Sequence, residues 1–248
     1  MVDAFIAIRA ILTYIAVLVY IAVVGSIGLT LTLLFRWTWG LWTLGHAGVR
    51  LALTLAGIRY RVAGLEHVPP GAAVFCSNHE SNVDPPVLFE ALHPRLRILY
   101  KAELRRFPIM GRVFDVGGFV PIDRGDRDKA TASLARGADA LRKGHSFLIF
   151  PEGTRSRSGA LLPFKKGGFI MAIEAQAPII PVAVQGGRDA MRKGSAIVRP
   201  VRVSVRIGEP VPTAGLTMED RDALIARVRG EIERLRAQGS LWGESGRS

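Results

Sequence analysis

Hydrophobic and polar positions divide the chain into two unlike parts. From Ala10 to Phe35 no side chain carries a charge, a run of 26 residues. As a helix this run measures about 39 Å at about 1.5 Å per residue, enough to cross a hydrocarbon layer of about 30 Å. A cleaved signal peptide fits it less well, because such a peptide has an apolar stretch of about 7–15 residues behind a basic start. Here the run is longer and follows Asp3 and Arg9. Arg36 closes it, and Trp37, Trp39 and Trp42 come next. Indole pairs an apolar body with a polar N–H, so these rings beside a cation mark a membrane–water interface. A second apolar stretch, Leu41 to Ile58, is interrupted by His46 and Arg50 and carries Gly45, Gly48 and Gly57. It predicts a more amphipathic helix forming a hairpin with the first. Residues 1–58 are therefore expected to be a helical membrane anchor; the competing reading makes both stretches core helices of a soluble domain.

From Tyr60 onward short β-branched runs alternate with helical stretches. Strands are predicted at Tyr60–Val62, Ala73–Cys76, Arg97–Tyr100, Phe119–Ile122, Phe147–Phe150, Ile179–Val184 and Val201–Ile207. Helices are predicted near Pro86–Leu92, Pro108–Val113, Asp128–Arg142, Gly167–Ala175 and Glu219–Arg236. The alternation predicts an α/β domain over residues 59–248, with a mixed, largely buried sheet flanked by helices.

Lysine and arginine outnumber aspartate and glutamate 33 to 21, a net charge of +12, which favours an anionic partner. Phospholipid headgroups, nucleic acid and phosphorylated substrates all qualify. A nucleic-acid binder would gather its charge into a stripe or a recognisable module, whereas these arginines are scattered behind an apolar anchor. One cysteine, Cys76, excludes an internal disulfide, and with five histidines gives no convincing zinc spacing. Neither a P-loop nor a G-x-S-x-G nucleophile elbow occurs.

Four blocks could carry chemistry. SNHESNVDPP places His79 five positions before Asp84, with prolines at 85 and 86. Proline suits a first helical position and keeps its predecessor out of the α region, so Asp84 reads as an N-cap and His79 as a turn residue. Such a turn can bring the carboxylate to one imidazole nitrogen, fixing the tautomer and favouring the imidazolium formed on taking a proton. Equally, Asp84 could only cap a helix. In FPEGTRSRSG, Gly153 permits close backbone approach, Glu152 offers an acceptor for a substrate hydroxyl or a helper charge, and Arg155 and Arg157 offer guanidinium forks for phosphate; an exposed basic loop is the plainer alternative. In GGFVPIDRGDR, Arg124 could clamp a phosphate or pair with Asp123 or Asp126 on the surface. IIPVAVQG, from Ile179, reads as a buried strand.

Together these blocks resemble the glycerolipid acyltransferases, and most closely the 1-acylglycerol-3-phosphate (lysophosphatidic acid) acyltransferases. NHESNVD matches that family's NHxxxxD block, VPIDR its arginine-bearing second block, FPEGTRSRSG its third and IIPVAV its fourth, in family order; YKAEL also resembles a family segment. The resemblance covers roughly Val74 to Gly186. It implies His79 as general base with Asp84 as its partner. It further implies that Arg124, Glu152, Gly153 and Arg155 bind the glycerol phosphate and that Pro181 belongs to the acyl-donor region. The implied reaction is acyl transfer from acyl-CoA or acyl carrier protein to the sn-2 hydroxyl of lysophosphatidic acid, giving phosphatidic acid, without metal or tightly bound cofactor. A membrane phospholipid surface is the implied partner, and the arginines following the apolar run imply an inner-membrane enzyme with its catalytic domain in the cytoplasm. Another lysolipid acceptor, a lysophospholipid or an amino-acid lyso-lipid, would use the same base. A non-catalytic phosphatidic-acid-binding membrane protein is the alternative of another class, and His79 with Asp84 speaks against it.

Overall fold

The β-branched runs pair into a seven-stranded sheet in the computed structural model, which describes residues 2–92, 96–123, 127–156, 159–191 and 195–243. The strands are β1 (Ile58–Ala63), β2 (Val74–Ser77), β3 (Arg97–Lys101), β4 (Val120–Ile122), β5 (Phe147–Ile149), β6 (Ile179–Gln185) and β7 (Val201–Ile207). Their spatial order is β1-β7-β6-β2-β5-β3-β4. Only β6 and β7 run antiparallel among these pairs, so the sheet is mixed, as expected.

Central strands buried on both faces need apolar residues at every position, which is why they read as continuous runs. Along β2, Phe75 points to one face and Val74 and Cys76 to the other. The Phe75 face is covered by α3 (Thr38–Ala56) and α4 (Asp84–Leu92), through Leu53, Val87 and Leu88. The opposite face is covered by α6 (Arg127–Arg142), α7 (Gly167–Ala175) and α8 (Arg221–Ala237), through Leu141, Phe169 and Ile232. Each fully buried side chain of this size contributes about 1.5–3 kcal/mol of transfer free energy.

The long apolar run forms α1 (Val2–Tyr20), a π-helical turn at Ile21–Gly25, and α2 (Ser26–Phe35) without interruption. Among the described residues it is the one helix long and apolar enough to cross a membrane, over Ala4–Phe35. Phe5, Ile11, Leu18, Leu34 and Phe35 on it are exposed. The expected pair of anchoring helices is therefore corrected: the membrane-length element is a single continuous helix. Arg36, at φ 55°, ends it in the left-handed conformation. The stretch after it, α3, is a packing helix of the sheet domain, because its polar interruptions dock on Glu90 of α4. His46 Nδ1 lies 2.8 Å from Glu90 Oε2 on α4, and Arg50 pairs with the same carboxylate. Trp42 stacks on Phe89 of α4 at 5.8 Å. Along its other side α3 meets α1, where Arg9 Nε donates to Leu55 O at 2.7 Å and the Tyr20 hydroxyl to Leu44 O at 2.8 Å.

α5 (Pro108–Gly117) packs beside the π turn, with Ile109 facing Gly25.

Candidate active site

Parallel neighbours release their following loops at the same edge of a sheet, and in α/β folds ligands bind there. β2 lies between β5 and β6, parallel to both, so the loops after Ser77, Ile149 and Gln185 converge. His79 is in the first loop and Glu152, Gly153 and Arg155 in the second.

The loops are stitched together by side chain to backbone bonds. Asn78 Nδ2 donates to Val184 O at 2.9 Å, and Val184 N–H returns a bond to Asn78 Oδ1 at 2.8 Å. The His79 N–H donates to Glu152 Oε1 at 2.8 Å, and the His79 carbonyl accepts the Ser156 N–H at 3.0 Å. Leu162 N–H occupies the other Glu152 oxygen at 2.9 Å. Glu152 is 3% exposed, so its carboxylate works as a brace between loops. Gly153 makes the turn between Glu152 and Arg155 at φ 68°, where a side chain would also strike Lys165.

Within the first loop Asp84 collects three donors on one oxygen. His79 Nδ1 is 3.0 Å from Oδ2, and the N–H groups of Glu80 and Ser81 donate to it at 2.6 and 2.7 Å. Asp84 is wholly buried, while the His79 side chain keeps 15% of its exposure and stacks on Phe150 with ring centroids 4.2 Å apart. A buried carboxylate on Nδ1 holds that nitrogen as the donor and leaves Nε2 to accept a proton. The arrangement can take a proton from a hydroxyl and return it to a leaving group.

Comparison with known proteins places this geometry in a family. The acyltransferase family model matches residues 59–185, just over half the chain. Human 1-acyl-sn-glycerol-3-phosphate acyltransferase alpha is 37% identical over 177 residues, 71% of this chain and 62% of that protein. The 1-acyl-sn-glycerol-3-phosphate acyltransferase of Limnanthes douglasii is 32% identical over 206 residues, 81% of this chain and 73% of that protein. The chain belongs to the 1-acyl-sn-glycerol-3-phosphate acyltransferase family. Over nearly its whole length it superposes on the crystal structure of the 1-acyl-sn-glycerophosphate (LPA) acyltransferase PlsC from Thermotoga maritima. That match has a TM-score of 0.81 at 26% identity and covers 94% of this chain and 95% of that one. The chain spans less than two thirds of the human relative's length.

The chain brings His79, Asp84, Glu152, Gly153 and half-buried Arg155 to one edge of the sheet. Three expected residues are not among them. Arg124 lies outside the described residues, as does Arg157. Pro181 is inside β6 with Cys76 as its neighbour on β2, and its carbonyl accepts the Gly208 N–H at 2.8 Å. Each Glu152 oxygen already accepts one backbone N–H. Cys76 is buried and its thiol is pushed up by burial first and by the nearby Glu152 charge second. No cluster of His, Cys, Asp or Glu that could hold a metal ion occurs among the described residues.

Three residues that sequence reasoning passed over complete the site. Asn78 was visible as part of NHESNVD, but its partner Val184 lies 106 residues away. Glu80 is 8% exposed, and burial, then the Asp84 charge, pushes its carboxyl up to about 7 against the pull of Arg236. Gly187, after β6, sits so close to Asp84 that an added Cβ would lie 2.5 Å from Oδ1.

Proposed function

We propose that the chain is a 1-acylglycerol-3-phosphate O-acyltransferase, moving a fatty acyl group from an acyl-CoA or acyl carrier protein thioester to the sn-2 hydroxyl of lysophosphatidic acid. The observation that carries the reading is the buried Asp84 carboxylate 3.0 Å from His79 Nδ1, in a chain of this family. His79 Nε2 takes the hydroxyl proton as the oxygen attacks the thioester carbonyl. The imidazolium so formed is stabilised by Asp84 and returns the proton to the departing thiolate. No acyl-enzyme is required, and both substrates are held together with no metal or tightly bound cofactor.

Arg155 and Arg124 bind the acceptor phosphate, with Gly153 allowing the backbone to approach it. Glu152 acts by fixing His79 and the 150–162 loop. Pro181 contributes to the acyl-donor side through the shape of β6. Residues 1–58 form the anchoring region, α3 serving both it and the domain, and residues 59–248 form the acyltransferase domain. The exposed apolar side chains along the continuous α1–α2 helix, with Trp37 and Trp39 after it, support an anchor seated in a phospholipid membrane. Arg50, Arg59 and Arg61 beyond it support a domain on the cytoplasmic side of the inner membrane.

Purified full-length protein supplied with acyl-CoA or acyl carrier protein thioester tests the reading across acceptors. Lysophosphatidic acid should give phosphatidic acid, and lysophosphatidylcholine and glycerol 3-phosphate should react far more slowly. A faster reaction with a phosphate-capped or amino-acid lysolipid would move the assignment to another acceptor.

A further inference from the structure

The last helix enters the site through one side chain. Arg236, in the final turn of α8, lies 156 residues from Glu80, yet its Nη2 is 3.5 Å from Glu80 Oε1. The same nitrogen donates to the carbonyl of Gly159, in the loop that carries Glu152 and Arg155. The Arg236 carbonyl in turn accepts Gln185 Nε2 at 2.9 Å, which fastens this end of α8 to the end of β6. One residue thus touches two of the loops that converge on His79 and the end of the strand from which the third begins. Its Nε is buried with no hydrogen-bond partner among the described residues, an arrangement that costs folding free energy.

Glu80 follows His79 in the chain and shares the acceptor Asp84 Oδ2 with it. Its own N–H is one of the three donors on Asp84 Oδ2, so a movement of Glu80 moves the group that orients the base. Its side chain has two 3.5 Å contacts, one from Arg236 Nη2 and one from Asn78 Nδ2. Asn78 is itself clamped to β6, and Arg236 brings a cation from α8 to the Glu80 carboxylate.

We propose that Arg236 is a positioning residue for acyl transfer: through Glu80 and Gly159 it holds the His79 turn in register with the Arg155 loop. The proposal rests on His79 being the base. Both contacts are made by one terminal nitrogen, Nη2, so a lysine ammonium of similar reach can restore part of them. The charged groups facing Glu80 are Asp84 and Glu152, which raise its pKa, and Arg236 and Arg188, which lower it; His79 precedes it in the chain. Removing Arg236 therefore shifts Glu80 to titrate at higher pH.

The test uses the full-length membrane-bound protein with the changes Arg236→Ala, Arg236→Lys, Glu80→Gln and the Arg236→Ala/Glu80→Gln pair. Arg234→Ala, an exposed residue pairing with Glu231, is the control, and His79→Ala runs alongside. Rates are expressed per folded molecule from thermal unfolding. Arg236→Ala should lower kcat about 10-fold to 100-fold, the scale of a displaced catalytic group, with KM for both substrates little changed. Arg236→Lys should recover part of the loss. The double variant should be no worse than Arg236→Ala alone, because both changes cut one link. A pH limb of kcat that moves upward in Arg236→Ala and vanishes in Glu80→Gln completes the expected pattern. Wild-type kcat per folded Arg236→Ala molecule, or strictly additive losses in the pair, would overturn the proposal while leaving an inactive His79→Ala to support the base. An active His79→Ala would overturn both.

Discussion

Gly187→Ala is a one-carbon change that should act on His79 without touching it. The added Cβ would lie 2.5 Å from Asp84 Oδ1, where ordinary contact begins at 3.4 Å, so about 0.9 Å must be found. Asp84 cannot yield easily, since its other oxygen is held by the N–H groups of Glu80 and Ser81 and by His79 Nδ1. If the carboxylate yields by that amount along the bond, its 3.0 Å separation from Nδ1 approaches 3.9 Å, beyond hydrogen-bonding range. A misplacement of about 1 Å at such a group costs about 100-fold in rate, and overpacking a buried site costs about 1–3 kcal/mol of stability. The assay is phosphatidic acid formation at saturating substrates, beside a thermal unfolding curve. A kcat reduced about 10-fold to 100-fold in a protein that still unfolds cooperatively is expected. Full kcat in folded Gly187→Ala would mean that the 186–191 loop retreats instead, and that Asp84 is not confined from that side.

Glu152→Gln replaces one of two carboxylate acceptors by an amide N–H₂ facing a backbone N–H. It should cost about 1–3 kcal/mol of stability and lower kcat more than it raises KM, read by denaturation and steady-state kinetics. Glu80 has an ordinary value of 4.5 and is raised to about 7 on folding. Between those values the folded chain keeps a proton that the unfolded chain has released, so stability falls as pH rises through the window and levels off above it. Relative to Glu80→Gln, wild type should lose on the order of 3 kcal/mol from pH 4.5 to 7 in detergent unfolding experiments. Cys76 should resist soluble thiol reagents in the native protein and react once after denaturation, and Cys76→Ala should keep its activity.

Local pattern reached far into this fold. The strand Val201–Ile207 and the helix Gly167–Ala175 have the limits that periodicity predicted, because each is bounded by glycine, proline or a polar turn. His79 and Asp84 were legible for the same reason: five residues closed by two prolines leave few ways to fold. Sequence spacing could not reveal contacts between distant segments. That Glu152 joins two loops is not legible until Leu162 and His79 are seen on its two oxygens. Arg236 looks like one more basic residue on an amphipathic helix until Glu80 and Gly159 are seen beside it. The second apolar stretch misled for a different reason. His46 and Arg50 look like breaks in a membrane segment, but they are the contacts that dock α3 on Glu90.

The central claim is that His79, oriented by Asp84, is the base for acyl transfer to lysophosphatidic acid. The direct measurement is phosphatidic acid formation by purified wild type and His79→Ala under identical conditions, each shown to be folded by its unfolding transition. Wild type should form phosphatidic acid from lysophosphatidic acid and an acyl thioester, and His79→Ala should be slower by at least about 100-fold, the contribution of a general base. A folded His79→Ala protein with wild-type turnover would contradict it.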